Sequence, residues 1–391
     1  MQSLPRAIIA FGSLALLAAC GRLVPESTPD PIDITSARLA GVKSGPAVSS
    51  FGLGMNDAEA GLRSFIESCP ALLRREDRTG LTRPSDWQPA CDAAPAATGS
   101  ATNFFQTYFE TARIGSGEAF ATGYFEPEIR GCRTRKPGCE VPVYALPDDL
   151  IRKWPDSTPE ADRTGRPPLG RIDDNGDFVQ YYDRTAIEEG ALEGRGLEIA
   201  YAADPVEMFF LQIQGSGRLQ LDDGSVMRIG YAGQNGRGYT GIGGVMRERG
   251  LLGEGPGQYA GSMQGIMQYI RENPEDGKEL MRLNKSWIFF RELTGDGPLG
   301  SIGVPVRRES SVAVDPRFVP YGAPVWLDLD RDVADGLWIA QDTGGAIKGA
   351  NRFDTFWGAG EDARIIAGGM SGRGTAYILL PKGTVKRLNS K

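Results

Sequence analysis

The sequence contains no histidine. That absence removes Ser-His-Asp and Cys-His nucleophilic systems and the commonest zinc ligand. Acid–base chemistry therefore falls to Asp, Glu, Lys, Tyr or Cys, with carboxylates the natural candidates. The five cysteines show no C-x-x-C spacing, and Lys and Arg form no block. With a formal net charge of −7 over 391 residues, nucleic acid is not an expected partner. Only one Asp-Thr-Gly occurs, at Asp342, whereas an aspartic protease needs two such loops sharing a proton. Gly345-Ala346-Ile347-Lys348-Gly349 has its lysine out of place for a phosphate loop, with no helical pattern after it.

What the chain does have begins with an address. Arg6 precedes an apolar run, Ala7 to Leu17, too short to remain as a membrane-spanning helix. It ends in Leu17-Ala18-Ala19-Cys20, which resembles the bacterial lipobox. Residues 1–19 are expected to be a signal peptide and Cys20 the lipidated anchor to a membrane. Gly21, in place of Asp after the cysteine, points to the periplasmic face of the outer membrane. Residues 20–50, rich in Pro, Ser, Thr and Gly, read as a flexible tether.

An even number of cysteines then remains, and an exported chain favours disulfides over zinc. Three pairings are possible; Cys132–Cys139 across Arg-Thr-Arg-Lys-Pro-Gly, with Cys69–Cys91, is the simplest. No metal site and no cofactor are expected.

Fifty-three glycines and 26 prolines favour short strands and turns over long helices. Leu62, Phe65, Ile66 and Cys69 nonetheless repeat as a helical stripe, with Asn56 or Asp57 as its cap. A second helix is expected around Thr102 to Arg113. From Thr122 the period changes to strands, and Asp223-Gly224 marks a hairpin. The run from Val206 to Gly233 reads throughout as strands and turns. Helical periodicity returns between Gly257 and Asn284, interrupted near Pro274, before strands resume after Trp287. Two β-rich regions split by helices suggest two barrels with a ligand cleft between them.

The chemistry concentrates in AQDTGGAIKGANRFDTFWG, residues 340–358. Asp354 sits among Phe353, Phe356 and Trp357, and that apolar setting would raise its pKa toward that of a working acid. Like charge from Asp342 would act in the same direction. Cleavage of a glycosidic bond needs a carboxylic acid to protonate the leaving oxygen. From residue types alone, both aspartates could equally be turn residues beside glycines.

SSVAVDPRFVPYGAPVWL, WIAQDTGGAIKG and NRFDTFWG together resemble the 3D domain, named for three aspartates, here Asp315, Asp342 and Asp354. ATGYFEPEIRG, MFFLQIQGSGRLQLDDG and IGYAGQNGRGYTGIG upstream resemble the membrane-bound lytic murein transglycosylase A family. The likeness runs from about residue 50 to 385, with the motifs in the same order. It implies a mainly β fold: a discontinuous double-psi β-barrel with N-terminal helices, plus an inserted second β-barrel-like domain. Residues 51–121 and 286–385 would form the catalytic barrel, and 122–285 the insert.

The resemblance also assigns roles. Asp354 would be the single catalytic acid and base, and Asp342 its neighbour, orienting the site or stabilising oxocarbenium charge. Asp315 would be structural, satisfying loop N–H groups. Thr122, Tyr124, Gln212, Gln214 and Ser216 would contact the glycan, with Lys348 as a further contact. Some relatives carry His before Phe-Asp where this chain has Arg352, a change that adds charge near Asp354. The implied activity is non-hydrolytic cleavage of the β-1,4 bond between N-acetylmuramic acid and N-acetylglucosamine, a carbon–oxygen lyase reaction giving 1,6-anhydromuramoyl ends. The alternative is a non-catalytic, expansin-like peptidoglycan-binding lipoprotein. Assembly with cell-wall synthesis complexes is compatible with enzymatic activity.

Overall fold

The structure, a computed structural model, describes residues 35–295 and 297–390. Cys20 and the expected signal peptide lie outside the described residues. A short helix α1 (Ala37–Ala40) and strand β1 (Val42–Ser44) come first, then helices α2 (Met55–Leu72), α3 (Pro84–Ala93) and α4 (Ala101–Tyr108). Strands β2 (Phe109–Ile114) and β3 (Glu118–Glu126) follow directly.

The middle of the chain carries β4 (Glu128–Cys132), β5 (Val141–Tyr144), β6 (Ile151–Arg152), β7 (Leu169–Ile172), β8 (Phe178–Gln180) and α5 (Arg184–Glu188). Next come β9 (Glu198–Ala202), α6 (Pro205–Gln214), β10 (Ser216–Leu221), β11 (Val226–Gln234), α7 (Ile242–Glu248), α8 (Met263–Glu272), α9 (Pro274–Arg282) and β12 (Ile288–Glu292). The last stretch is β13 (Ser311–Val314), β14 (Pro324–Leu329), β15 (Gly336–Asp342), β16 (Arg352–Ala359), α10 (Glu361–Gly369), β17 (Ser371–Pro381) and α11 (Thr384–Asn389).

The long strand β17 closes the main sheet. Its first half pairs with β3, its middle with β14 and its end with β2. The ring therefore runs β3–β16–β13–β15–β14–β17 and back to β3, with β2 and β1 hung on its side. Closure leaves the ring without an unpaired edge. Val325, Ile339, Phe353 and Trp357 point into one core with Leu62, Phe65 and Trp87 of the N-terminal helices. Phe65 alone packs on Trp87, Phe104 and Phe109; truncating such a ring to alanine costs about 3–5 kcal/mol. The Cys69–Cys91 disulfide ties α2 to α3.

The remaining strands form a mixed sheet in the order β12–β11–β10–β4–β9–β5, with Cys132–Cys139 stapling the loop after β4. Tyr144, at the end of β5, meets Trp287, which directly precedes β12, with their rings 6.3 Å apart. Helices α6 to α9 share a separate apolar cluster, and β6–β7–β8 form a small satellite sheet.

Several expectations are corrected. β3 belongs to the barrel, which cannot close without it, so the chain leaves the barrel at Pro127 and not at residue 122. Residues 288–292, assigned to the barrel, are instead the edge of the second sheet, paired to β11. The tether does not reach residue 50: Val42 pairs with Ile114, and Ala37 and Val48 are buried. So short an edge strand buries too few side chains to leave a periodic signature.

Helix α2 is capped by Gly54, two or three residues before the expected positions, and Asp57 lies in its first turn. The second expected helix stops at Tyr108, and Phe109–Ile114 is strand β2 because its alternate residues face two packed layers. The largest revision is α6. Its continuous apolar run fits either a buried strand or a buried helix; the ends decide. The Asp204 carboxylate accepts from the N–H groups of Val206 and Glu207, Pro205 takes the first helical position, and Gly215 closes the helix at φ 80°.

Candidate active site

Ala313, in the short central strand β13, pairs with Asp354 of β16 on one side. On the other, across a bulge, it pairs with Asp342 of β15. Thr122 of β3 pairs with Asp354 from the far side. One row across the barrel thus carries Asp342, Ala313, Asp354 and Thr122. The two aspartates lie two strand spacings apart, about 10 Å between backbones. Strand alternation puts Thr122 and Tyr124 on the site face and Gly123 on the other. A Cβ on Gly123 would come within 3 Å of Met370, Trp357 and Ala367, so only glycine lets α10 pack there.

The two carboxylates are held differently. Asp342 is saturated. One oxygen accepts from the N–H of Ser301 (3.0 Å), the Ser301 hydroxyl (2.7 Å) and the N–H of Thr343 (2.8 Å). The other accepts from the Tyr124 hydroxyl at 3.2 Å. Burial pushes its pKa above the usual carboxylate range, and these donors pull against that rise.

Among the described residues Asp354 has a single side-chain donor, the Thr122 hydroxyl at 2.5 Å to Oδ1. Its second oxygen is left for a ligand. Burial is the main influence on its acidity, opposed by the Arg352 charge and the Thr122 hydrogen bond and assisted by Asp342; the balance is a pKa of about 6. Both groups are half-buried, densely surrounded yet still partly accessible to solvent.

Thr122 is itself oriented. Arg352 donates to its oxygen at 2.9 Å and stacks on the Phe120 ring at 4.8 Å. A guanidinium cannot accept, so the threonine takes the Arg352 hydrogen bond on a lone pair and turns its one proton to Asp354.

Asp315 is buried and acts elsewhere. It accepts from the N–H groups of Arg317 (3.0 Å) and Gly349 (2.8 Å) and pairs with the Arg317 guanidinium. Burial raises its pKa, but these donors outweigh it and hold it below the usual range. It thereby pins the loop that joins the two site strands.

Of the expected glycan contacts, the structure brings Thr122 and Tyr124 to the aspartates. Gln214 accepts from the N–H of Phe125 at 3.1 Å, fixing the end of α6 to β3, and Ser216 follows it. Lys348 is exposed and donates to the carbonyl of Gly344. Gln212 is different: it is buried and its side-chain oxygen is held by Arg184, away from the aspartates. One helical residue separates it from Gln214, and helical spacing sends the two side chains to different faces.

Sequence reasoning missed Ser301. Its signal was Gly300, where a Cβ would lie 2.4 Å from the carbonyl oxygen of Gln341, so only glycine brings Ser301 to Asp342. Tyr239, in the loop between β11 and α7, was missed as well. It is 44% exposed, and the Asp354 charge adds to the burial that raises its pKa, so the insert reaches over the barrel site here. Among the described residues, no group of acids or cysteines could hold a metal ion.

Comparison with known proteins gives consistent results. The family model described as the MltA specific insert domain matches residues 120–291, and that of the 3D domain matches 310–380. The membrane-bound lytic murein transglycosylase A of Vibrio cholerae is 30% identical over 286 residues, covering 69% of each chain. The crystal structure of MltA from Neisseria gonorrhoeae superposes with a TM-score of 0.71 at 35% identity, covering 88% of this chain and 93% of that one. A membrane-bound lytic murein transglycosylase from Agrobacterium tumefaciens gives 0.75 at 28% identity, covering 89% and 99%.

Proposed function

The chain belongs to the membrane-bound lytic murein transglycosylase A family, and we propose that Asp354 cleaves murein as its single acid and base, without water. The observation that carries this assignment is the asymmetry between the carboxylates. Asp342 has both oxygens occupied by donors, whereas Asp354 keeps one oxygen free and a pKa of about 6. A group poised there can give a proton and take one back near neutral pH.

Asp354 first protonates the glycosidic oxygen between N-acetylmuramic acid and N-acetylglucosamine, and the C–O bond breaks toward an oxocarbenium ion. Asp342, two strands away, supplies negative charge fixed by its hydrogen bonds. The Asp354 carboxylate then accepts the proton of the muramic C6 hydroxyl as that oxygen closes on C1. The product is a 1,6-anhydro ring, and Asp354 is again protonated. Attack from within the same sugar has an effective molarity on the order of 10⁵ M or more when aligned, so no second carboxylate is needed to activate water. Thr122 and Tyr124 flank the reacting sugar, with Gln214, Ser216, Lys348 and Tyr239 along the cleft. The reaction is that of a carbon–oxygen lyase on a polysaccharide. A lipid on Cys20 would hold the enzyme on the periplasmic face of the outer membrane, within reach of the wall.

Digestion of purified murein followed by mass analysis tests the reading. Anhydro products support it. Products carrying the extra water of a reducing end overturn it in favour of hydrolysis, and sacculi bound without release of fragments would mark a binding protein. Asp354→Asn should abolish release; substantial residual cleavage would move the acid elsewhere.

A further inference from the structure

A cavity of about 680 Å³ lies inside the inserted domain, between its sheet and helices α5, α6, α8 and α9. It includes neither Asp342 nor Asp354, nor Thr122, Tyr124, Gln214 or Ser216. Pro142, Val206, Phe209 and Met281 give it apolar walls.

Its inner wall is built around Arg184, which is 2% exposed. The guanidinium is clamped between the rings of Phe209 (4.7 Å) and Trp287 (5.1 Å). Nε donates to the carbonyl of Asn284, and Nη2 donates to the carbonyl of Ser286 and to Gln212. Among the described residues the third nitrogen, Nη1, has only the Glu188 carboxylate, at 3.9 Å, beyond hydrogen-bond reach. Glu188 is meanwhile bonded to Arg282 at 2.9 Å, so it does little to balance the buried charge.

A buried cation left without full compensation is costly. The one guanidinium nitrogen without a hydrogen bond, on this cavity wall, matches an anionic acceptor, a carboxylate.

The mouth has the opposite character. Glu140, Glu198 and Glu275 line it and make no ion pair among the described residues, against one unpaired base, Lys278. That excess of acid repels polyanions and attracts an ammonium group. We propose that this cavity binds a small zwitterion, its carboxylate on Arg184, its amine at the acidic mouth and its body on the apolar walls. That is the chemistry of a short peptide with free termini, and the volume is within the range of small-ligand pockets. The assignment rests on the cavity alone and does not depend on the cleavage chemistry of the barrel.

Isothermal titration of the full-length protein in detergent tests it, with trialanine, its C-terminal amide and its N-acetyl form as probes. One trialanine per chain should bind, the amide at least about tenfold more weakly because a charge-assisted contact is lost. Acetylation should weaken binding less. Glu198→Gln combined with Glu275→Gln removes two acids of the mouth, and should weaken trialanine about three- to tenfold while its N-acetyl form and murein cleavage are unaffected. Val206→Phe, which fills the cavity without touching Arg184, should abolish binding. A peptide-bearing murein fragment binding as tightly as trialanine assigns the source to the wall, and trialanine binding alone assigns it to free peptides; either supports the site. No heat at millimolar trialanine, equal affinity for acid and amide, or unchanged binding in both variants overturns it. Cleavage measured on peptide-free glycan in the same preparations reports on the barrel separately.

Discussion

Arg352 offers a direct way to move the acid. It reaches Thr122 at 2.9 Å, and Thr122 reaches Asp354 at 2.5 Å, so the guanidinium lies roughly 5 Å from the carboxylate. A unit charge at ~5 Å acting through an effective dielectric near 20 contributes about 3 kcal/mol. Solvent in the open cleft reduces this to about 1.5–2.5 kcal/mol, or about one to two pH units. Arg352 lowers the Asp354 pKa, so Arg352→Met should raise it from about 6 toward 7–8 by this arithmetic. The acid must be protonated to begin the reaction, so kcat/KM falls as pH rises through this pKa. At pH 7.5 an acid of pKa ~6 is only about 3% protonated, whereas one of ~7.5 is half protonated. The alkaline limb of the profile, measured by release of soluble muropeptides, should therefore shift up by about one to two pH units. Arg352→Lys, which keeps the charge, should leave the limb within about half a unit of the wild type. An unmoved limb in Arg352→Met, or a downward shift, would refute the coupling.

Asp354 also predicts a stability effect of definite sign. Its folded pKa of about 6 lies above the unfolded value of ~3.9. The fold is therefore most stable with this group protonated, and stability is lost as pH rises from about 4 to 6. Asp354→Asn should gain about 1–2 kcal/mol at pH 7, a few degrees in Tm, and nothing at pH 3.5; a lower Tm at pH 7 would contradict this. Gly300→Ala places a Cβ 2.4 Å from the Gln341 carbonyl oxygen, displacing Ser301 from Asp342. Cleavage should fall by about 10–100-fold with an unchanged circular dichroism spectrum. Full activity would show that the Ser301 contacts are dispensable.

Much of this arrangement is legible in the sequence where local chemistry is unambiguous. The stripe of Leu62, Phe65 and Cys69 and the break at Pro274 correspond to α2 and to the α8–α9 junction. The run after Asp204 misleads because a helix buried on all sides has no polar face to reveal its period; only Asp204-Pro205 and Gly215 mark it. The barrel boundary is illegible because β3 is defined by partners far along the chain. Ser301 is hidden for a similar reason: Gly300 marks a close approach of backbone, but nothing near it in sequence says that Asp342 is what it approaches. Gln212 and Gln214 look equivalent as letters, and only the helix shows that they face different neighbours.

The closing ladder between β17 and β3 has a consequence for when this enzyme becomes dangerous. The inserted domain is synthesised between the two parts of the barrel, and Thr122 and Asp354 are 232 residues apart. The ring cannot shut until Ser371–Pro381 has left the ribosome. A chain interrupted at any earlier point lacks the strand that holds both flanks of the cleft together. A wall-cutting activity built this way is withheld by topology alone: nearly the whole polypeptide must arrive before the first bond can be cut.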